Sequence, residues 1–118
     1  MKKLIHAFGV AFDGILCAFK EEYNIRIHTI AALIVIVLGI WLEVSTTEWS
    51  LLLISIGMVV TAELLNTAVE RLADSVTREK NPLIKQAKDI AAGGVLIAAI
   101  VALILGIFIF LPKLWLLL

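Results

Sequence analysis

The sequence predicts an all-α integral membrane protein, with an N-terminal amphipathic surface helix followed by three transmembrane helices. Three observations predict it. Of the 118 residues, 62% are hydrophobic, well above the share in a soluble domain. Three stretches, 27–42, 49–62 and 90–111, are nearly or wholly free of charge. The charged residues crowd between these stretches, and most basic ones collect on what would be a single side of a membrane. The chain reads as one domain. Its 10 acidic and 10 basic residues cancel, so net charge points to no nucleic-acid partner. Cys17 is the only cysteine, which excludes an internal disulfide or a multi-cysteine metal cluster and reads as a small hydrophobe.

Residues 2–20 form the expected surface helix. Ile5, Phe8, Phe12, Ile15 and Phe19 recur at helical spacing, while Lys2, Lys3, His6, Asp13 and Lys20 break any spanning run. Gly9 and Gly14 lower its intrinsic helicity, so lipid or protein contact must hold it. Such a helix anchors the chain and could cover a site at the interface. It does not read as a cleavable signal, because Asp13 interrupts the apolar run and no small-residue cleavage site follows.

The polar segment 21–28 then leads into the first span, 27–43. Tyr23 and Arg26 suit an interfacial belt and a snorkelling cation, and Glu21-Glu22 could equally be half of a cation site. The turn 43–48 holds no lysine or arginine and is flanked by Trp41 and Trp49 as interfacial anchors. A second helix runs from about 48 to 76 and crosses over 48–70. It is longer than a bilayer needs, so its polar end must emerge. A charged loop reaches Pro82, which suits the first turn of the next helix. The third span is 90–111. Ala87, Ala91, Gly94, Ala98 and Ala102 form a small-residue stripe along it, and Gly93-Gly94 reads as close packing rather than a phosphate loop. Pro112 and Lys113 are expected to end the span.

Basic residues set the orientation. Lys2, Lys3, Lys20 and Arg26 at the start, and Arg71, Arg78, Lys80, Lys85 and Lys88 around the second loop, share one side. The positive-inside rule puts the N-terminus and the 77–89 loop in the cytoplasm and the C-terminus outside. Glu22, Glu63, Glu70, Asp74, Lys88 and Asp89 then converge near the cytoplasmic face.

Within that convergence, Glu63, Asn66, Glu70 and Asp74 are spaced three, four and four apart, within an arc of about 80° on one helix face. Glu63 lies at the lipid boundary, where a carboxylate is costly and marks function. Carboxylates, an amide and a lysine suit magnesium carrying phosphates, and phosphoryl transfer needs that charge neutralisation plus a group to take a proton. Glu63 could take a proton from a lipid hydroxyl, Glu70 could hold metal and nucleotide phosphates, and Lys88 could meet phosphate oxygens. The competing reading of the face is a solvated helix end paired with Arg71, Lys85 or Lys88, which would suffice for Asp74. His6 and His28 show no metal-ligand spacing, which argues against zinc.

The run Glu63-Leu64-Leu65-Asn66-Thr67-Ala68-Val69-Glu70, with Asp74 and Ala87-Lys88-Asp89-Ile90-Ala91-Ala92-Gly93 after it, resembles the small prokaryotic diacylglycerol kinase family. Glu22-Tyr23-Asn24-Ile25-Arg26-Ile27-His28, the 91–96 stretch and Phe110-Leu111-Pro112-Lys113 are similar to its Gram-positive undecaprenol kinase branch. The resemblance implies a homotrimer of three-span subunits with active sites built partly between subunits at the cytoplasmic interface. It implies transfer of the ATP γ-phosphate to a lipid alcohol with magnesium. By motif, Glu63 would be the catalytic base and Asn66 would support it. Glu22 and Glu70 would bind magnesium and nucleotide, and Lys88, Asp89 and Glu79 would contact ATP. Val10 stands where some relatives carry an aromatic near the nucleotide. Undecaprenol is the expected acceptor and diacylglycerol the alternative. An oligomeric ion or proton transporter is the reading from another class, but it would place polar residues through the full bilayer depth, and the first and third spans have essentially none.

Overall fold

The computed structural model describes residues 1–118 as four helices: α1 Lys2–Glu21, α2 Tyr23–Trp41, α3 Thr46–Val76 and α4 Pro82–Leu117. Three of them, α2, α3 and α4, are long and apolar enough to cross a membrane. In α1 the stripe Ile5, Phe8, Phe12, Ile15 and Phe19 is exposed, and Ala18 is its one buried residue. An apolar stripe without protein cover is what a membrane-surface helix presents.

A single residue separates α1 from α2. Glu22 adopts an extended backbone with φ −108° and ψ 119°, and its N–H donates to the Ala18 carbonyl at 2.8 Å. The α2 end is closed by a reciprocal pair of backbone bonds: Val44 N–H to Gly39 O at 3.1 Å and Glu43 N–H to Ile40 O at 3.3 Å. This closure needs a left-handed residue between the helix and Val44, and Glu43 takes it with φ 54°. Val44 is thereby turned inward and buried.

Next, α3 starts on a capping box. The Ser45 hydroxyl accepts from Glu48 N–H at 3.1 Å, and the Glu48 carboxylate accepts from Ser45 N–H at 2.9 Å. The Glu48 carboxylate also meets Lys113 Nζ at 3.1 Å, joining the start of α3 to the far end of α4. The α4 start is capped by Asn81 Oδ1, which accepts from Leu83 and Ile84 N–H at 3.0 and 3.3 Å. The helix then runs unbroken through Pro112 to Leu117, beyond the expected end of the span. Proline removes one N–H donor, and near a helix end a well-packed turn tolerates that loss. Buried Ile109 and Phe110 and half-buried Leu114 hold this turn against α3 and the 42–44 turn.

The main helix–helix interface is between α3 and α4, with α2 packed across α3. The small core of Val44, Leu52, Ile109 and Phe110 sits at the end away from the charged loop, and Leu52 is only 1% exposed there. The close helix approach also lies at this end. A Cβ on Gly39 would come within 2.7 Å of Trp49 Cη2 and 3.0 Å of Cζ2, so the indole ring rests on the glycine. By contrast, a Cβ on Gly93 or Gly94 would meet nothing within 4 Å. The close packing expected at that pair is therefore not made within the chain, whereas Ala98 farther along α4 is buried.

Gly39→Ala is expected to destabilise the protein by about 1–3 kcal/mol, since the flat, rigid indole must be displaced. The helix-propensity gain of about 1 kcal/mol for alanine offsets only part of that. Thermal unfolding in detergent measures the difference, and an unchanged midpoint would show that Trp49 moves at no cost.

Candidate active site

The carboxylate face of α3 is formed as its spacing predicts, but its members meet different partners. Glu63 is 3% exposed and is the only buried acidic or basic residue in the chain. Its Oε1 lies 3.1 Å from Nε2 of His28 on α2, a partnership the sequence reading missed. His28 itself is half-buried and forms part of the wall of an apolar groove of about 600 Å³ between α2, α3 and α4. Alanines 31, 32, 99 and 102 line part of this groove, and His28 and Ser55 are the only side chains with polar atoms along it. The buried carboxylate is thus linked to the apolar groove through His28, and burying it costs stability unless it serves chemistry.

One turn along α3, Asn66 is also buried. Its Nδ2 donates to Glu70 Oε1 at 3.2 Å, as i,i+4 spacing allows, while its Oδ1 has no partner. An orphaned buried oxygen beside a carboxylate is a vacant hard-donor position, and a buried amide oxygen left unbonded needs an explanation. The donor set Glu70, Asn66 Oδ1 and Glu22 is all oxygen, the kind magnesium takes when it keeps water and phosphate as its other ligands. The residues fit such an ion in kind. No group of three metal-binding side chains converges within the single chain.

The remaining predicted residues are brought to the same end but engaged elsewhere. Arg71 Nη2 reaches Glu22 Oε1 at 3.4 Å and forms a closer ion pair with Glu21, while Nη1 lies 3.5 Å from Cys17 Sγ. Arg71 therefore pins the α1–α2 junction to α3 instead of pairing along its own acidic face. Cys17 is exposed beside this guanidinium, not buried as a small hydrophobe. Lys88 Nζ binds Asp74 at 2.6 Å, tying α4 to α3. Asp74 thus has the salt-bridge partner that the plainer reading of it required. Asp89 pairs with Lys85 at 2.6 Å on the exposed side of α4. Glu79 lies exposed in the 77–81 loop, where its N–H donates to Thr77 Oγ1 at 3.0 Å, and it joins none of the other candidates.

Geometry therefore places Glu63, Asn66 and Glu70 on one line and Glu22 beside it through Arg71. Of the residues outside the motif, Arg71 was signalled by its position among the carboxylates. His28 carried no signal beyond being polar at the mouth of a span.

Known proteins match this sequence along most of its length. The sequence profile of a family described as prokaryotic diacylglycerol kinase matches residues 9–110. The undecaprenol kinase of Bacillus subtilis (strain 168) is 40% identical over 114 residues, covering 97% of this chain and 93% of that protein. A diacylglycerol kinase of Synechocystis sp. is 39% identical over 112 residues, covering 94% of this chain and 64% of that protein. The diacylglycerol kinase of Escherichia coli (strain K12) is 35% identical over 102 residues, 86% of this chain and 84% of that protein.

Proposed function

The chain belongs to the prokaryotic diacylglycerol kinase family and is a membrane lipid kinase, and we propose that its acceptor is undecaprenol, which it converts to undecaprenyl phosphate at the cytoplasmic interface. The observation that carries a lipid acceptor is the buried Glu63 carboxylate, linked through His28 to the apolar groove. A hydroxyl carried on a hydrocarbon chain suits such an apolar approach. Undecaprenol in particular is supported by the extent of similarity to the Bacillus subtilis enzyme and by the 22–28 segment.

In this reading Glu63 accepts the proton of the lipid hydroxyl as its oxygen attacks the γ-phosphorus of ATP. The bond from that phosphorus to the β,γ-bridging oxygen breaks, ADP leaves with the electron pair, and Glu63 returns its proton to water. Asn66 keeps the α3 face in register through Glu70. Glu22 and Glu70 would hold magnesium, which when bound neutralises phosphate charge. Lys88 and Asp89, with Glu79 from the loop, would contact the nucleotide. Within one subunit Asp89 pairs with Lys85 and the Glu79 side chain bonds to none of the other candidates, which is compatible with completion of the site by a neighbour in a homotrimer. The N-terminus and the 77–89 loop then face the cytoplasm, where ATP is available, and the C-terminus lies outside.

A direct comparison tests the acceptor. Purified protein with magnesium-ATP is expected to phosphorylate undecaprenol faster than diacylglycerol in matched micelles, read by transfer of labelled γ-phosphate. An equal or greater rate with diacylglycerol overturns the lipid assignment and leaves the kinase chemistry in place.

A further inference from the structure

Glu63 has its long side chain in a nearly dry position, and such a carboxylate is useful as a base only if one rotamer is held. A base must lie within roughly 2.6–3.2 Å of the hydroxyl it deprotonates, and small misplacements at a reacting centre are costly. Nothing on α3 holds the group, since Asn66 turns its amide to Glu70. The group that reaches it comes from another helix: His28 Nε2, 3.1 Å from Glu63 Oε1. His28 has what this task requires. Its ring is rigid, it carries a donor at Nε2 in one neutral tautomer, and it is seated in the first turns of α2, fixed by a backbone bonded in a regular helix. Its side chain is 26% exposed and lines the apolar groove, so it stands between that channel and the carboxylate.

We propose that His28 is the positioning residue for Glu63: its ring nitrogen Nε2, 3.1 Å from Oε1, pairs with that oxygen and so presents the other carboxylate oxygen to the acceptor hydroxyl arriving along the groove. This rests on the kinase reading and deepens it, since it assigns a role to a residue on the first span that the acidic motif does not contain. His28 touches neither the nucleotide nor the transferred phosphoryl group. It acts through Glu63, and its removal should cost turnover without costing substrate binding.

His28→Phe and His28→Gln, made in the full chain, separate this from a packing role. Phenylalanine keeps the ring volume but removes the donor, whereas the glutamine amide keeps a neutral donor at similar reach. In steady-state assays with magnesium-ATP and lipid alcohol, His28→Phe is expected to lower kcat about 10–100-fold, the range seen when an orienting partner is lost. KM for both substrates should stay within about twofold. His28→Gln is expected to recover most of kcat. If His28→Phe does not yield protein with wild-type size and melting behaviour in detergent, His28→Ala is read in the same way. Three results would each overturn the proposal: kcat unchanged on loss of the donor, a raised lipid KM with kcat intact, or a His28→Gln enzyme as slow as the phenylalanine variant while equally well folded. The wild-type rate measured alongside keeps the two questions apart. An inactive wild type rejects the kinase reading, and an active wild type matched by His28→Phe rejects only the role of His28.

Discussion

Glu63→Gln is expected to lower turnover about 10²–10⁴-fold, the usual contribution of a positioned general base, while magnesium-ATP still binds. The substitution keeps the size of the side chain and its ability to meet His28, and removes only the capacity to take a proton. Because Glu63 is 3% exposed, the neutral amide also relieves a buried charge, so folding should not suffer. Initial rates of lipid phosphorylation, together with calorimetric titration of nucleotide, check both halves. Loss of nucleotide affinity in a normally assembled protein would move Glu63 into the metal and phosphate site.

The second large effect is expected at Glu70. Glu70→Gln should weaken magnesium-ATP binding about 10–100-fold, as loss of a carboxylate at such a site does, with a smaller change in the rate at saturating nucleotide. Glutamine can still meet the Asn66 amide, so the i,i+4 contact at 3.2 Å is perturbed less than the charge. The reading is a titration of KM for ATP at fixed excess magnesium. An unchanged ATP affinity would argue against a metal role for Glu70. The two variants thus divide one helix face into a proton-handling end and a phosphate-handling end.

The shared face could be read in the sequence because α-helical spacing is local. Glu63, Asn66, Glu70 and Asp74 share a face whatever surrounds them, and the Asn66–Glu70 contact is made within one turn. The four-helix layout was equally legible, since charge-free runs of membrane length leave few alternatives. The features that escaped depend on how separate helices align. His28 reaches Glu63 across 35 positions, and Arg71 turns to Glu21 and Glu22 instead of to its own helix face. Neither choice has a periodic signature, because the rotation and offset of α2 on α3 are set by packing. The same limit explains the glycines. Gly93-Gly94 has the composition of a close contact, but the ring of Trp49 lands on Gly39.

The ion pairs around the carboxylate face also set how a nucleotide would be received. Lys88 is already occupied by Asp74 at 2.6 Å, and Glu22 by Arg71. In the proposed site, ATP therefore arrives as in ion exchange, displacing a resident counter-charge instead of finding a bare one. Its affinity draws only on the difference between two ionic partnerships, which is small compared with either. Drawing Lys88 to a phosphate would free the Asp74 carboxylate, whereas drawing Glu22 to a cation would free the Arg71 guanidinium. In that reading Asp74 without Lys88 would repel phosphates, and the expected divalent cation would offset that repulsion.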